Sequence, residues 1–274
     1  MAEGAISLNS RGGSARVGSR MVAKIHHVGI VVESLGQAYR FWRQTLGMPL
    51  LREAELPDQG VRAALLAAGD SEVELLEPIR PDTGVARFLA RRGEGLHHLC
   101  FETSDVDDAL ARLRADEVPL LDREPRQGLA GRIAFLHPKA CEGVLVELAT
   151  PPYGGPTEES PVRLKRLVIG SSDPQHTGRI YQRLFALPEV AGGNGGARAM
   201  LGWTGGGTIL MVPAGEVGGM EGMVALSMVA PEIGALIRRL ESAGAMMLTG
   251  ANEVTVEPRS SHGVHLHFSR YHFP

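Results

Sequence analysis

Cysteine is nearly absent: the 274 residues hold only Cys100 and Cys141. Neither belongs to a Cys-x-x-Cys pair, so no disulfide framework is expected and a reducing, cytoplasmic setting is. An excess of one charge is also missing. The formal net charge is −3, which leaves no basic footprint for nucleic acid and none for an anionic membrane surface. No apolar run is long enough to cross a bilayer as a helix. The first twenty residues, MAEGAISLNSRGGSARVGSR, lack hydrophobic periodicity. Residues 1–21 are therefore expected to form a disordered tail, with Met21 as an alternative start. A short transit peptide is the competing reading, because the stretch is basic and acid-poor.

What is present is a core and a repeat. Apolar residues make up 43% of the chain, and its length suits two ordinary domains. From Lys24 a strand (HHVGIVV) leads to a helix over 34–47, whose apolar residues Leu35, Ala38, Tyr39, Trp42 and Leu46 recur at helical spacing. Ser34 fits an N-cap and Gly47 a stop. Strands follow in GVRAALLAAG and SEVELLEPI, and a short helix, VARFLARRG, bridges onward. A second unit repeats the order: GLHHLCFET, the helix DVDDALARLRADE, then RIAFLHP and GVLVELAT. The Pro- and Gly-rich stretch 151–161 reads as a linker between a domain at 22–150 and another at 162–274. The latter carries two further units, with helices DPQHTGRIYQRLFAL and PEIGALIRRLESAG. The expected architecture is α+β, four βαβββ units arranged as two domains.

Both N-terminal units place a histidine on the opening strand and a glutamate on the closing strand, at nearly the same spacing. Strand alternation puts Val28, Ile30 and Val32 on one face and His27 on the other. The same parity sets His98 opposite Leu99 and Phe101, Glu74 opposite Val73 and Leu75, and Glu147 opposite Val146 and Leu148. His27, Glu74, His98 and Glu147 thus share the face away from the helices and make a plausible divalent-metal set. Glu72 has the parity of Glu74 and is an alternative ligand. Strict alternation sends the neighbours His26 and His97 to the helix side.

The stretches IHHVGIVV, LPDQGVRAALL, VELLEPI, GEGLHHLCFE, EPRQGLAGRIAFLHPK and GVLVEL resemble the methylmalonyl-CoA epimerase family of the vicinal-oxygen-chelate (glyoxalase) superfamily. The resemblance spans residues 22–150. It implies the vicinal-oxygen-chelate fold, in which two βαβββ modules close around one divalent metal. The implied ligands are His27, Glu74, His98 and Glu147. Cobalt is typical of the family; nickel, manganese, zinc or iron would also suit such ligands. The implied chemistry is exchange of the proton between a thioester and a carboxylate, with Glu147 as an acid or base. Some members carry a second carboxylate two residues after the QGV element, where this chain has Ala63. Lys139, Arg126 and Arg132 are candidates to meet coenzyme A phosphates, Gln59 to line the pocket, and His137 to be structural.

In residues 162–274 the alignment sets Leu167, Ile209, Ala225 and His267 opposite the four ligands. No equivalent metal site is expected there. His265 and His267 read as solvated or pocket-lining. The expected partner is a small acyl-CoA, with neither nucleic acid nor membrane. The chain is expected to be either a monomer, whose second domain stands in for a partner subunit, or a homodimer. The competing functions are another lyase, isomerase or dioxygenase of the superfamily, or a small-molecule-binding protein on the same fold.

Overall fold

A computed structural model describes residues 21–152, 158–190, 196–203 and 207–271. Eight strands form the first sheet: β1 (Lys24–Val31), β2 (Leu50–Leu56), β3 (Val61–Ala68), β4 (Ser71–Pro78), β5 (Gly95–Glu102), β6 (Arg126–Gly128), β7 (Gly131–Leu136) and β8 (Val146–Thr150). Their order is β2-β3-β4-β1-β5-β8-β7-β6. The two modules therefore join at the antiparallel β1–β5 pair. Seven strands form the second sheet: β9 (Arg163–Ser171), β10 (Ala199–Trp203), β11 (Gly207–Pro213), β12 (Gly222–Val229), β13 (Met247–Thr249), β14 (Glu253–Val256) and β15 (His265–Ser269). Their order, β10-β11-β9-β12-β15-β14-β13, copies the first with one outer strand fewer. The sheets fall on either side of residues 151–161. The tail, residues 1–20, and linker residues 153–157 lie outside the described residues.

The helices are α1 (Leu35–Tyr39), which runs on as a π-helical turn over Arg40–Thr45, then α2 (Gly84–Arg92), α3 (Val106–Ala115), α4 (Pro174–Phe185) and α5 (Ile233–Ser242). Asp105 caps α3 by accepting from the N–H groups of Asp107 and Asp108. Asp173 caps α4 through His176 N–H. Ser34 stands ahead of α1 but its hydroxyl caps nothing. The first N–H of that helix, on Leu35, donates instead to Glu77 of β4. The third unit also departs from βαβββ. Residues 187–190 reach their sheet through one isolated bridge, Glu189 to Leu201. Pro188 has no N–H to extend a ladder.

The helix-side faces of the two sheets share one continuous core. Phe101 of β5 meets Phe185 of α4 with ring centroids 4.9 Å apart. Tyr181 donates its hydroxyl to the Cys141 carbonyl, and Arg239 donates to the Thr45 carbonyl. Phe101, Tyr181 and Phe185 are fully buried, and each contributes roughly 1.5–3 kcal/mol relative to exposure, so the domains stabilise each other back to back. The opposite face of the first sheet stays out of this core. Two small apolar clusters lie there, one around Val31, Val61, Ala63 and Leu76, the other around Cys100, Ala130, Ile133 and Ala149.

Candidate metal centre

Both histidine doublets sit at β-bulges. Along β1–β5 the pairing passes from Ile25 to His27 and from Gly29 to Ile30 with a register shift, and His26 and His97 are the residues skipped. A bulge places two successive residues opposite one. It therefore cancels the alternation that would send His26 and His97 to the helix side. His97 lines the same cavity as His98, and His26 packs its ring against that of His27. The expectation for these two residues is corrected accordingly: each stands beside its partner.

The consequence is a chain of imidazoles. His26 Nδ1 lies 2.9 Å from His27 Nδ1, and His97 Nδ1 lies 3.1 Å from His98 Nδ1. Each of these hydrogen bonds carries one proton. In the tautomer where His27 and His98 donate Nδ1–H, both Nε2 lone pairs are free. Those Nε2 atoms are 2.9 Å apart. Two lone pairs at that distance repel unless a proton or a cation lies between them.

Two carboxylates close the group. Glu74 lies 3.5 Å from His27 Nε2 and 3.3 Å from His98 Nε2. Glu147 lies 3.9 Å and 3.3 Å from the same atoms. One ligand atom from each of the four residues falls within 4.8 Å of all the others, and all four residues are buried. Ligands at right angles about 2.1 Å from one ion stand ~3 Å apart. Among the described residues no lysine or arginine forms an ion pair with Glu74 or Glu147. The donor set, two imidazole nitrogens and two unpaired carboxylates, fits a divalent cation.

Electrostatics agree. Burial, followed by the charge of Glu74, raises the Glu147 carboxyl well above its ordinary value. Burial, followed by His98 and His26, keeps His27 neutral by lowering its pKa far below the usual range. His97 falls to about 3 through burial and then His98. A cation would reverse the penalty on the carboxylates, and neutral imidazoles are the form that ligates. Glu72 does not join this group. It lies 3.9 Å from His26, and burial pushes its carboxyl up to about 7.

Glu74, His98 and Glu147 line a cavity of about 480 Å³, with His27 buried behind them. Gln59 and Arg126 line it, and Arg126 bonds Asp122. Arg132 instead pairs with Asp107 on the surface. His137 accepts from Lys139 N–H at the start of a short turn. Gly29 is where sequence reading missed a requirement. A Cβ there would sit 2.1 Å from Cε1 of His98, so the His98 ring occupies the space a side chain would take.

A family model described as the glyoxalase/bleomycin resistance protein/dioxygenase superfamily matches residues 26–135. The mitochondrial methylmalonyl-CoA epimerase of Bos taurus is 33% identical over 144 residues, which is 52% of this chain and 81% of that protein. The chain belongs to the methylmalonyl-CoA epimerase family. This is a racemase/epimerase family of the glyoxalase superfamily. The uncharacterized protein YqjC of Bacillus subtilis is 40% identical over 129 residues, 47% of this chain and 92% of that protein. A solved variant of the Streptomyces coelicolor epimerase, in complex with 2-nitronate-propionyl-CoA, shares 42% identity. It covers 48% of this chain and 99% of that one, with a TM-score of 0.47.

The second sheet of this family member keeps the bulges and changes the residues. Along β9–β12 the skipped positions are Lys165 and Val224. Matching bulge to bulge puts Arg166 at the place of His27 and Ala225 at that of His98. Leu210 takes the place of Glu74, since it pairs with Val168 as Glu74 pairs with Gly29. His267, paired with Ser227, takes the place of Glu147, paired with Cys100. The positions expected at Leu167 and Ile209 are thus corrected by one residue each, and a guanidinium stands where an apolar side chain was expected. Arg166 donates to the Thr208 hydroxyl. His267 is held by Ser227 and Glu253. His265 is exposed.

Proposed function

We propose that the chain is a divalent-metal-dependent epimerase that exchanges the α-proton of methylmalonyl-CoA or a closely related acyl-CoA. The observation that carries this reading is the convergence of His27, Glu74, His98 and Glu147 within 4.8 Å of one another, beside a cavity that Glu74, His98 and Glu147 line. These four would hold the cation. When bound, it supplies a Lewis acid that lowers the cost of negative charge on substrate oxygens. The nitrogen and oxygen donors suit cobalt, and also nickel, manganese, zinc or iron.

The protein's own part is proton handling and enclosure. Glu147 is buried where it lines the cavity, with Cys100 beside it on the neighbouring strand. It is the group assigned to carry the α-proton. His26 and His97 hold the rings of His27 and His98 so that Nε2, not Nδ1, faces Glu74 and Glu147. Ala63 lies in the apolar cluster with Val61 and Leu76, and its methyl transfers no proton. Residues 22–150 carry the chemistry, and 162–274 brace the back of the first sheet. Four protein ligands argue against a dioxygenase, which uses two histidines and one carboxylate and leaves positions open for oxygen.

The test is isotope exchange. Cobalt-loaded protein is mixed with methylmalonyl-CoA in deuterated water and the α-proton is followed by NMR. Catalysed loss of the signal is expected. Absence of exchange from protein shown to hold cobalt sinks the assignment for this substrate.

A further inference from the structure

The internal repeat creates two junctions between the domains, and they are not alike. At the first, β5 starts against the turn before β15. Gly263 leaves no room for a side chain there, because a Cβ would meet the Glu94 carbonyl oxygen. Glu94, just before β5, takes His262 Nδ1 on both carboxylate oxygens at 2.9 Å and also accepts Glu33 N–H. This junction is locked.

The second junction is its counterpart by the repeat. Here β12 starts against the turn before β8, with Gly222 near the Gly143 carbonyl. Glu221 occupies the position of Glu94 and Glu142 that of His262, since β5 and β12 have the same length and Glu142 and His262 share a positive φ. Two carboxylates form no such pair. A cleft of about 820 Å³ opens instead. One side is cationic: Arg87, Arg91 and Arg92 from α2, with Lys139 from the turn. The far side is the second domain's segment from Glu221 to Met223. Four cations thus face two carboxylates. Arg87 donates to the Asp82 carbonyl and Arg92 lies over the Phe88 ring. Gly84, His97 and Leu145 line both this cleft and the cavity lined by Glu74, His98 and Glu147, so the two adjoin at His97.

We propose that this cleft is a composite site, half from each domain, for the phosphate-bearing nucleotide end of the acyl-CoA. The inference rests on the acyl-CoA reading above and gives the second domain a direct part in substrate binding. A thioester held at His98 would run past His97 into the cleft. Its phosphates would meet the guanidinium groups, which suit bidentate phosphate contacts. Phe88 and Met223 offer apolar surface to the base.

Adenosine 3′,5′-bisphosphate, which carries the nucleotide end without the thioester, tests this with the full-length protein by calorimetry. One molecule should bind per chain, more weakly as salt rises. Arg91→Glu combined with Arg92→Glu should weaken binding at least tenfold. Glu221→Arg, a change in the second domain alone, should tighten it several-fold. Absence of binding, or binding indifferent to both changes, overturns the proposal. Exchange on methylmalonyl-pantetheine separates this from the epimerase reading. If the cleft acts, kcat/KM for the CoA ester exceeds that for the pantetheine ester at least tenfold, and the double arginine change shrinks the ratio. Equal values for both esters leave the epimerase standing and remove the cleft. Bisphosphate binding without exchange on either ester does the reverse.

Discussion

The two sheets have one plan and two outcomes. Both join their modules through a central antiparallel pair, and both bulge that pair at matching places. The first sheet fills the bulged positions with histidine doublets and the parallel partners with glutamate. The second fills them with Lys165, Arg166, Val224 and Ala225, opposite Leu210 and His267. A guanidinium and two aliphatic side chains ligate no cation. The bulged frame is a property of the fold, while the capacity to hold a cation depends on the residues the frame presents.

The sharpest way to break the comparison is to exchange the closing residues. Glu147→Gln should reduce α-proton exchange by about 10²–10⁴-fold, the usual loss on removing a general acid or base. His267→Gln, at the same place in the second sheet, should leave the rate unchanged. Equal effects in NMR exchange assays would show that both faces act. Cobalt affinity should also fall with pH. Glu147 is raised by burial and must lose its proton to ligate, so protons compete with the cation below its folded value, by about tenfold per pH unit for each proton displaced. Calorimetry in buffers of different ionisation heat would detect the released proton.

Gly29 offers the next test. Val168 stands at its register position in the second sheet, opposite Ala225 instead of a histidine. Gly29→Ala should push the His98 ring aside and weaken cobalt binding more than about tenfold while the chain stays folded. Unchanged affinity by equilibrium dialysis would mean that the ring has another seat. Next come the supporting imidazoles. His26→Ala or His97→Ala should each weaken cobalt binding by about 10–100-fold, the range for groups that orient a ligand. Lys165→Ala and Val224→Ala should not.

The smallest expected effect is at the locked junction. Burial raises the Glu94 carboxyl, but the bonds from His262 and Glu33 outweigh it, and the net shift is downward. A depressed carboxylate contributes stability above its unfolded value and loses it as pH falls through the folded one. Wild type should therefore lose urea resistance below about pH 4.5 more steeply than Glu94→Gln does. The gap above that pH should be no more than about 1 kcal/mol, because the pair is partly exposed.

Much of this was legible in the chain. Repeat and alternation place the four candidate ligands on one face, and the structure brings a donor atom of each within 4.8 Å of the others, although His27 and His98 directly follow bulged residues. Helix positions followed from apolar spacing, apart from the cap at Ser34, where Glu77 arrives from 42 residues away in sequence. Alternation failed where the strand does. It sent His26 and His97 to the wrong face because an extra residue at a bulge is invisible in a pattern of period two. It also set the second domain one residue off at Leu167 and Ile209. A one-residue slip exchanges the faces, and there the Arg166 side was not recognised.

The order of residues by itself determined the repeat, the two sheets and the set of candidate metal donors, since apolar periodicity and donor type are local properties. Tertiary structure alone decided three things. It paired the strands, and so made the bulges that set His26 behind His27 and His97 behind His98. It laid the His98 ring over Gly29. It also matched the two domains so that one junction closes on Glu94 and His262 while its counterpart stays open between Glu142 and Glu221. Each depends on what a distant strand brings alongside, and no local pattern encodes a neighbour that arrives from the other end of the chain.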